Sequence, residues 1–186
     1  MIKQQELIKQ LSSSIGKRKV LELSRILEEQ HFALRDLINL TFIDDKNIAF
    51  RAAWILENIF LKDPLRYEHD LPYLLSRIKE VKHESCKRHY AKIMMHITAK
   101  NAPAIIKQGL QQIEMESVVE QCFDWMIDPK VRVAVKVFAS EALLNLKERY
   151  PWIKDELAAE MKFLMRNGSA AIQSRGQKIL ASLNSQ

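Results

Sequence analysis

The chain has 186 residues, 47% of them apolar and 28% charged, with only 4 glycines and 5 prolines. That is enough apolar material for a continuous core and too few turn residues for anything but long elements. No run approaches the roughly 18 apolar residues of a membrane span, the first residues lack the apolar block of a secretory signal, and Cys86 and Cys122 make no disulfide framework. These features describe a reduced cytoplasmic protein with both thiols packed as small hydrophobes. The formal net charge of +6 permits contact with nucleic acid or with an acidic protein surface, and excludes neither.

Taken in order, residues 3–13 carry Leu7, Ile8 and Leu11 at helical spacing and end at serines and Gly16. A second helix over 17–30 places Val20, Leu23, Ile26 and Leu27 on one face, and a third runs from about Phe32 to Thr41. Ile48, Ala52, Ile55 and Ile59 stripe a fourth, closed by Lys62-Asp63-Pro64. The fifth spans about 65–81, with Pro72 marking a kink or a late start. Cys86, Tyr90, Ile93 and Ile97 mark a sixth, broken at Asn101-Ala102-Pro103. Residues 101–116 are irregular and read as an insertion, with one short helix weakened by Gly109. Val118, Val119, Cys122, Phe123 and Met126 stripe the next helix. Asp128-Pro129 then opens a helix with Val131, Val135, Phe138, Ala142 and Leu146 on one side and Arg132 in its first turn. Trp152 to Arg166 forms another, Asn167-Gly168 caps it, and a last helix from Ser169 turns Ile172, Ile179, Leu180 and Leu183 inward. Trp54, Trp125 and Trp152 are expected to fill gaps between helices. No period-2 stretch competes.

The helices come in pairs, and the second of each pair carries an arginine near its start. Arg51, Arg88, Arg132 and Arg175 follow at intervals of 37, 44 and 43 residues, with Arg18 a further 33 before Arg51. Such an interval is that of a two-helix solenoid unit. Asp128-Pro129-Lys130-Val131-Arg132 and its alanine-rich continuation resemble the second helix of a HEAT repeat, as does Asp44-Asp45 through Phe50-Arg51-Ala52-Ala53. With Arg-Ala-Ala-Trp-Ile-Leu-Glu at 51–57 and Cys-Phe-Asp-Trp-Met at 122–126, the whole chain resembles a group of small bacterial HEAT-like proteins. Relatives of that group sometimes carry the label adenylosuccinate lyase. The serine-rich signature loop of the lyases is absent here, and the chain is too short for their helical core. The resemblance implies an all-α fold, an α-α superhelix of about five HEAT-like pairs in a single domain over 1–186. It also implies second helices lining a concave face that binds proteins or nucleic acids.

Charge is sorted by helix type. The second helices (17–30, 46–62, 84–100, 130–149, 170–183) hold 18 basic and 7 acidic residues, a net +11, and the remainder nets −5. Cations in a first turn oppose the helix dipole at a cost of ~0.3–1 kcal/mol. Arg88/Lys92 and Arg132/Lys136 are like-charge pairs at i, i+4, unfavourable by roughly 0.2–0.5 kcal/mol each. Two arrangements would offset this. In one, Asp45, Glu84 and Asp128 accept the arginines in a ladder between repeats. In the other, Arg51, Trp54, Arg88, Lys92, Arg132, Lys136, Arg175 and Lys178 form a surface for an acidic protein partner, or alternatively for nucleic-acid phosphates.

Other chemistry is thinly marked. His83-x2-Cys86-x2-His89 is the one metal-like spacing, and a structural zinc wants four ligands. No nucleophile elbow, phosphate loop or dinucleotide fingerprint is present, so no cofactor is called for. A HEAT-like enzyme resembling the alkylpurine DNA glycosylases would have to use Glu57 or Glu141 as its carboxylate, with Trp54 beside the base. The expectation is therefore a non-enzymatic interaction scaffold.

Overall fold

In a computed structural model, which describes residues 4–13 and 16–184, every regular element is helical. The α-helices are α1 (Gln4–Ser12), α2 (Lys17–Glu29), α3 (Leu34–Leu40), α4 (Lys46–Lys62), α5 (Leu71–Ser76) and α6 (Glu84–Thr98). They continue with α7 (Ala104–Gln111), α8 (Glu116–Ile127), α9 (Val133–Leu146), α10 (Ile153–Met165) and α11 (Ala170–Asn184). Short 3-10 turns, Pro64–Asp70 and Ile78–Glu80, flank α5.

The second helices α2, α4, α6, α9 and α11 pack one against the next in chain order. Against this layer lie the first helices, α3 on α4, α8 on α9, and α10 on both α9 and α11. One continuous cluster of buried apolar side chains runs from Leu7 to Leu183. This is an all-α solenoid, its repeats joined through a common core rather than through separate ones. Small residues set the spacing: Ala49, Ala52 and Ala53 in α4, and Ala139 and Ala142 in α9, are fully buried and let neighbouring backbones approach. Asn145, near the end of α9, donates to the Met95 carbonyl and the Thr98 hydroxyl at the end of α6, both at 3.3 Å. The two helices therefore run in the same direction, with their amino-terminal ends at the same edge.

Four local features differ from the pattern read in the sequence. The 65–81 segment is not one helix: Pro72 stands in the first turn of α5, which lasts only six residues between its two 3-10 turns. Proline without an amide fits that first turn and would break a longer helix upstream. The helix after Asp128-Pro129 starts at Val133, so Arg132 is its extended N-cap residue and not a member of its first turn. Trp152 is 44% exposed, whereas Trp125 is 2% exposed and Trp54 half-buried. At the end of α2, His31 takes the left-handed position (φ 53°) usually given to glycine. There the Phe32 and His31 amides close back on the carbonyls of Leu27 and Glu28, and the Arg66 guanidinium braces both His31 and the Glu28 carbonyl.

Gly168 follows α10 as expected, but its φ is not positive. Its lack of a side chain matters because a Cβ there would fall 2.5 Å from the Leu164 carbonyl oxygen and 3.0 Å from the Ile172 Cβ. Gly168→Ala is expected to cost about 1–3 kcal/mol, since backbone must move to admit the methyl. A urea titration of the two proteins reads this directly as a drop in midpoint without a change in slope.

Candidate functional site

The residues proposed for a basic surface are held by four of the five second helices, and most of their charges already have work to do. Arg51 in α4 donates to the carbonyls of Leu11 (2.6 Å) and Ser12 (3.3 Å), closing the carboxyl end of α1. Lys92 in α6 donates to Glu57 in α4 at 2.6 Å, and Arg175 in α11 to Glu141 in α9 at 2.7 Å. Lys136 is only 7% exposed, and its ammonium turns down to the Met126 carbonyl at the end of α8. Burial lowers its pKa, and the nearby acids Glu160 and Asp128 offset this only in part. Lys136 is therefore an internal cap for α8 and is not available at the surface. The like-charge pairs read at i, i+4 are relieved in this way, with Lys92 and Lys136 each drawn away from the arginine before it.

The ladder read from Asp45, Glu84 and Asp128 does not form, because those acids are used locally. Asp45 accepts from the amides of Asn47 and Ile48 as the cap of α4, Asp128 accepts from the Lys130 amide, and Glu84 pairs with Lys87. Glutamates in the bodies of the second helices take their place. Glu28–Lys62 joins α2 to α4 at 2.6 Å, Glu57–Lys92 joins α4 to α6, and Glu141–Arg175 joins α9 to α11. Among the described residues no such rung bridges α6 and α9. The only acid in α6 is Glu84, and it is already paired.

Glu57 is the most constrained of these groups. It is 6% exposed and accepts from His89 Nδ1 (2.6 Å) on one oxygen and from Lys92 on the other. Burial pushes its carboxyl up, but the hydrogen bonds and charges of His89 and Lys92 outweigh this and hold it below the usual carboxylate range. His89 is fully buried, its Nε2 has no partner, and its ring stacks against Trp54 at 6.4 Å. Trp54, Glu57, His89 and Lys92 thus form one cluster at the α4–α6 seam. Both carboxylates named for glycosylase-like chemistry, Glu57 and Glu141, are consumed by ion pairs.

Arg88, Arg132 and Lys178 remain exposed and have no acceptor among the described residues. Arg132 caps α9 and Arg88 lies in the second turn of α6, so both stand at the shared amino-terminal edge of that seam. The metal-like spacing does not converge: His83 faces the Ile43 carbonyl, Cys86 the Thr41 carbonyl, and His89 Glu57. Burial pushes both thiols, Cys86 and Cys122, up to about 12, so neither is a ready nucleophile. Among the described residues, no helix is long and apolar enough to cross a membrane.

The glutamate rungs carry a sequence signal of their own: Glu28/Lys62, Glu57/Lys92 and Glu141/Arg175 lie 34 or 35 residues apart, about one repeat each. The His89–Glu57 bond had none, because nothing in a one-dimensional pattern separates a buried histidine from an exposed one. Paired helices stacked through one core, with cations and glutamates linking successive second helices, define an all-α repeat solenoid. The family model for the HEAT repeat domain matches residues 7–183, and the chain belongs to the HEAT repeat family. Comparison with curated proteins and with solved structures gives no match.

Proposed function

We propose that the protein is a non-enzymatic scaffold that holds an acidic protein partner at the amino-terminal edge of α6 and α9, residues 101–116 being an insertion in an otherwise regular array. Arg88 and Arg132 make the contact, Lys178 extends it along α11, and Lys92, Arg51, Trp54 and Arg175 shape the floor. The observation that carries this reading is the missing rung. Every other neighbouring pair of second helices matches a cation to a glutamate, while the α6–α9 seam leaves two exposed arginines uncompensated at helix amino-termini. Two cations there cost local stability. A carboxylate-bearing partner would be favoured by the arginines and by the exposed helix ends together.

The reading is tested with a labelled polyglutamate peptide and a labelled DNA duplex, each titrated by anisotropy at increasing salt. The peptide is expected to bind and the Arg88→Glu/Arg132→Glu double variant to lose at least tenfold in affinity with an unchanged thermal midpoint. Duplex binding with a steep salt slope, lost in the same variant, would instead assign the edge to nucleic acid. Full binding by the variant would remove these arginines from any role.

A further inference from the structure

The first-helix side has the opposite character, and the scaffold function does not account for it. Helix α8 carries Glu116, Glu120 and Asp124 and no lysine or arginine at all. At its end and beside it large apolar side chains are uncovered: Ile127, the last residue of α8, is 60% exposed and Trp152 44%. Trp152 lies against Phe123 with ring centroids 5.6 Å apart and planes at 25°, so the indole is held as a shelf rather than left free. Glu120, Phe123, Asp124, Ile127, Trp152 and Glu156 together line a groove of about 470 Å³ between α8 and the start of α10. The carboxylates of Asp124 and Glu156 make no hydrogen bond or ion pair among the described residues. The third, Glu120, shows what such a site attracts. It holds the Lys79 ammonium, which is drawn further by the charges of Asp124 and Glu116 and has its pKa raised.

We propose that this groove is a second docking site, one that takes an extended cationic peptide through a lysine or arginine laid across Trp152 and an apolar neighbour placed on Ile127. An aromatic face is attractive to a cation in its own right, and the carboxylate rim adds Coulomb attraction to it. Carboxylates, a ring pair and an exposed isoleucine lining one groove suit a chain that alternates basic and apolar side chains. Simple hydrophobic association would not call for the acidic rim. A repeat array that exposes a basic edge on its second helices and an acidic aromatic groove on its first helices can join two partners of opposite charge.

The test uses the full chain and a short fluorescent peptide alternating lysine with leucine, against the same peptide with glutamate in place of lysine. The lysine peptide is expected to saturate binding and to perturb tryptophan emission, and the glutamate peptide to do neither. Trp152→Ala and Asp124→Lys are each expected to weaken the lysine peptide about tenfold while circular dichroism shows the helical fold retained. The Arg88→Glu/Arg132→Glu variant should bind it as the parent does, which separates this site from the basic edge. Equal binding of both peptides, or undiminished binding by Trp152→Ala and Asp124→Lys, would overturn the proposal. So would a concentration-dependent dimer abolished by Trp152→Ala in sedimentation, which would give the groove to a second copy of the chain.

Discussion

Glu57→Ala is expected to lower the folding free energy by about 3–5 kcal/mol, the usual cost of removing one member of a buried charged set. The carboxylate lies at the α4–α6 seam and satisfies two groups at once, His89 Nδ1 and the Lys92 ammonium. Without it a fully buried imidazole loses its one partner, because the other ring nitrogen already has none. At this chain length each kcal/mol moves the thermal midpoint by about 2–4 °C, so the loss is readily measured by calorimetry or urea titration. The same residue sets part of the acid response. Its carboxyl titrates below its ordinary 4.5 in the folded protein. Its contribution is therefore complete above that value and disappears as the pH falls toward the folded one. Glu57→Gln should remove this part of the acid dependence, and parallel acid profiles of parent and variant would contradict the assignment.

Lys136→Glu is expected to cost 3 kcal/mol or more on the order of a buried unpaired charge. It would turn a carboxylate toward the Met126 carbonyl and bring it near Glu160 and Asp128, both already acidic. Lys136→Met should behave in the opposite way. It keeps the length of the side chain, removes an ammonium whose charge burial disfavours, and is expected to fall within about 1 kcal/mol of the parent. Chemical denaturation of the three proteins separates an internal lysine from a surface one, for which charge reversal would leave stability alone.

Much of the fold was legible because it is written in repetition. Apolar stripes at helical spacing marked four of the second helices to within two residues and α9 to within three at each end, and the arginine interval marked the repeat. Where legibility failed, the cause was a residue with two local options. Pro72 is compatible with a kink or a start, and only packing against α3 and its flanking turns decides for a start. Trp152 reads as core by composition, yet it lies just before α10, where Phe123 of α8 packs on its ring and 44% of it stays exposed. The charges were harder. Sorting by helix type was visible, but a cation's position on its helix does not reveal whether it faces solvent, a carboxylate or a carbonyl. Lys136 and Arg132 are four residues apart, and one is buried while the other is exposed.

The absent rung between α6 and α9 has a mechanical consequence. Of the four joints between successive second helices, three are clasped by opposite charges, which added salt loosens as far as they meet solvent, while the α6–α9 joint is held by apolar packing and Asn145, which salt leaves alone or tightens. Rising ionic strength should therefore slacken the joints on either side of α6–α9 before α6–α9 itself.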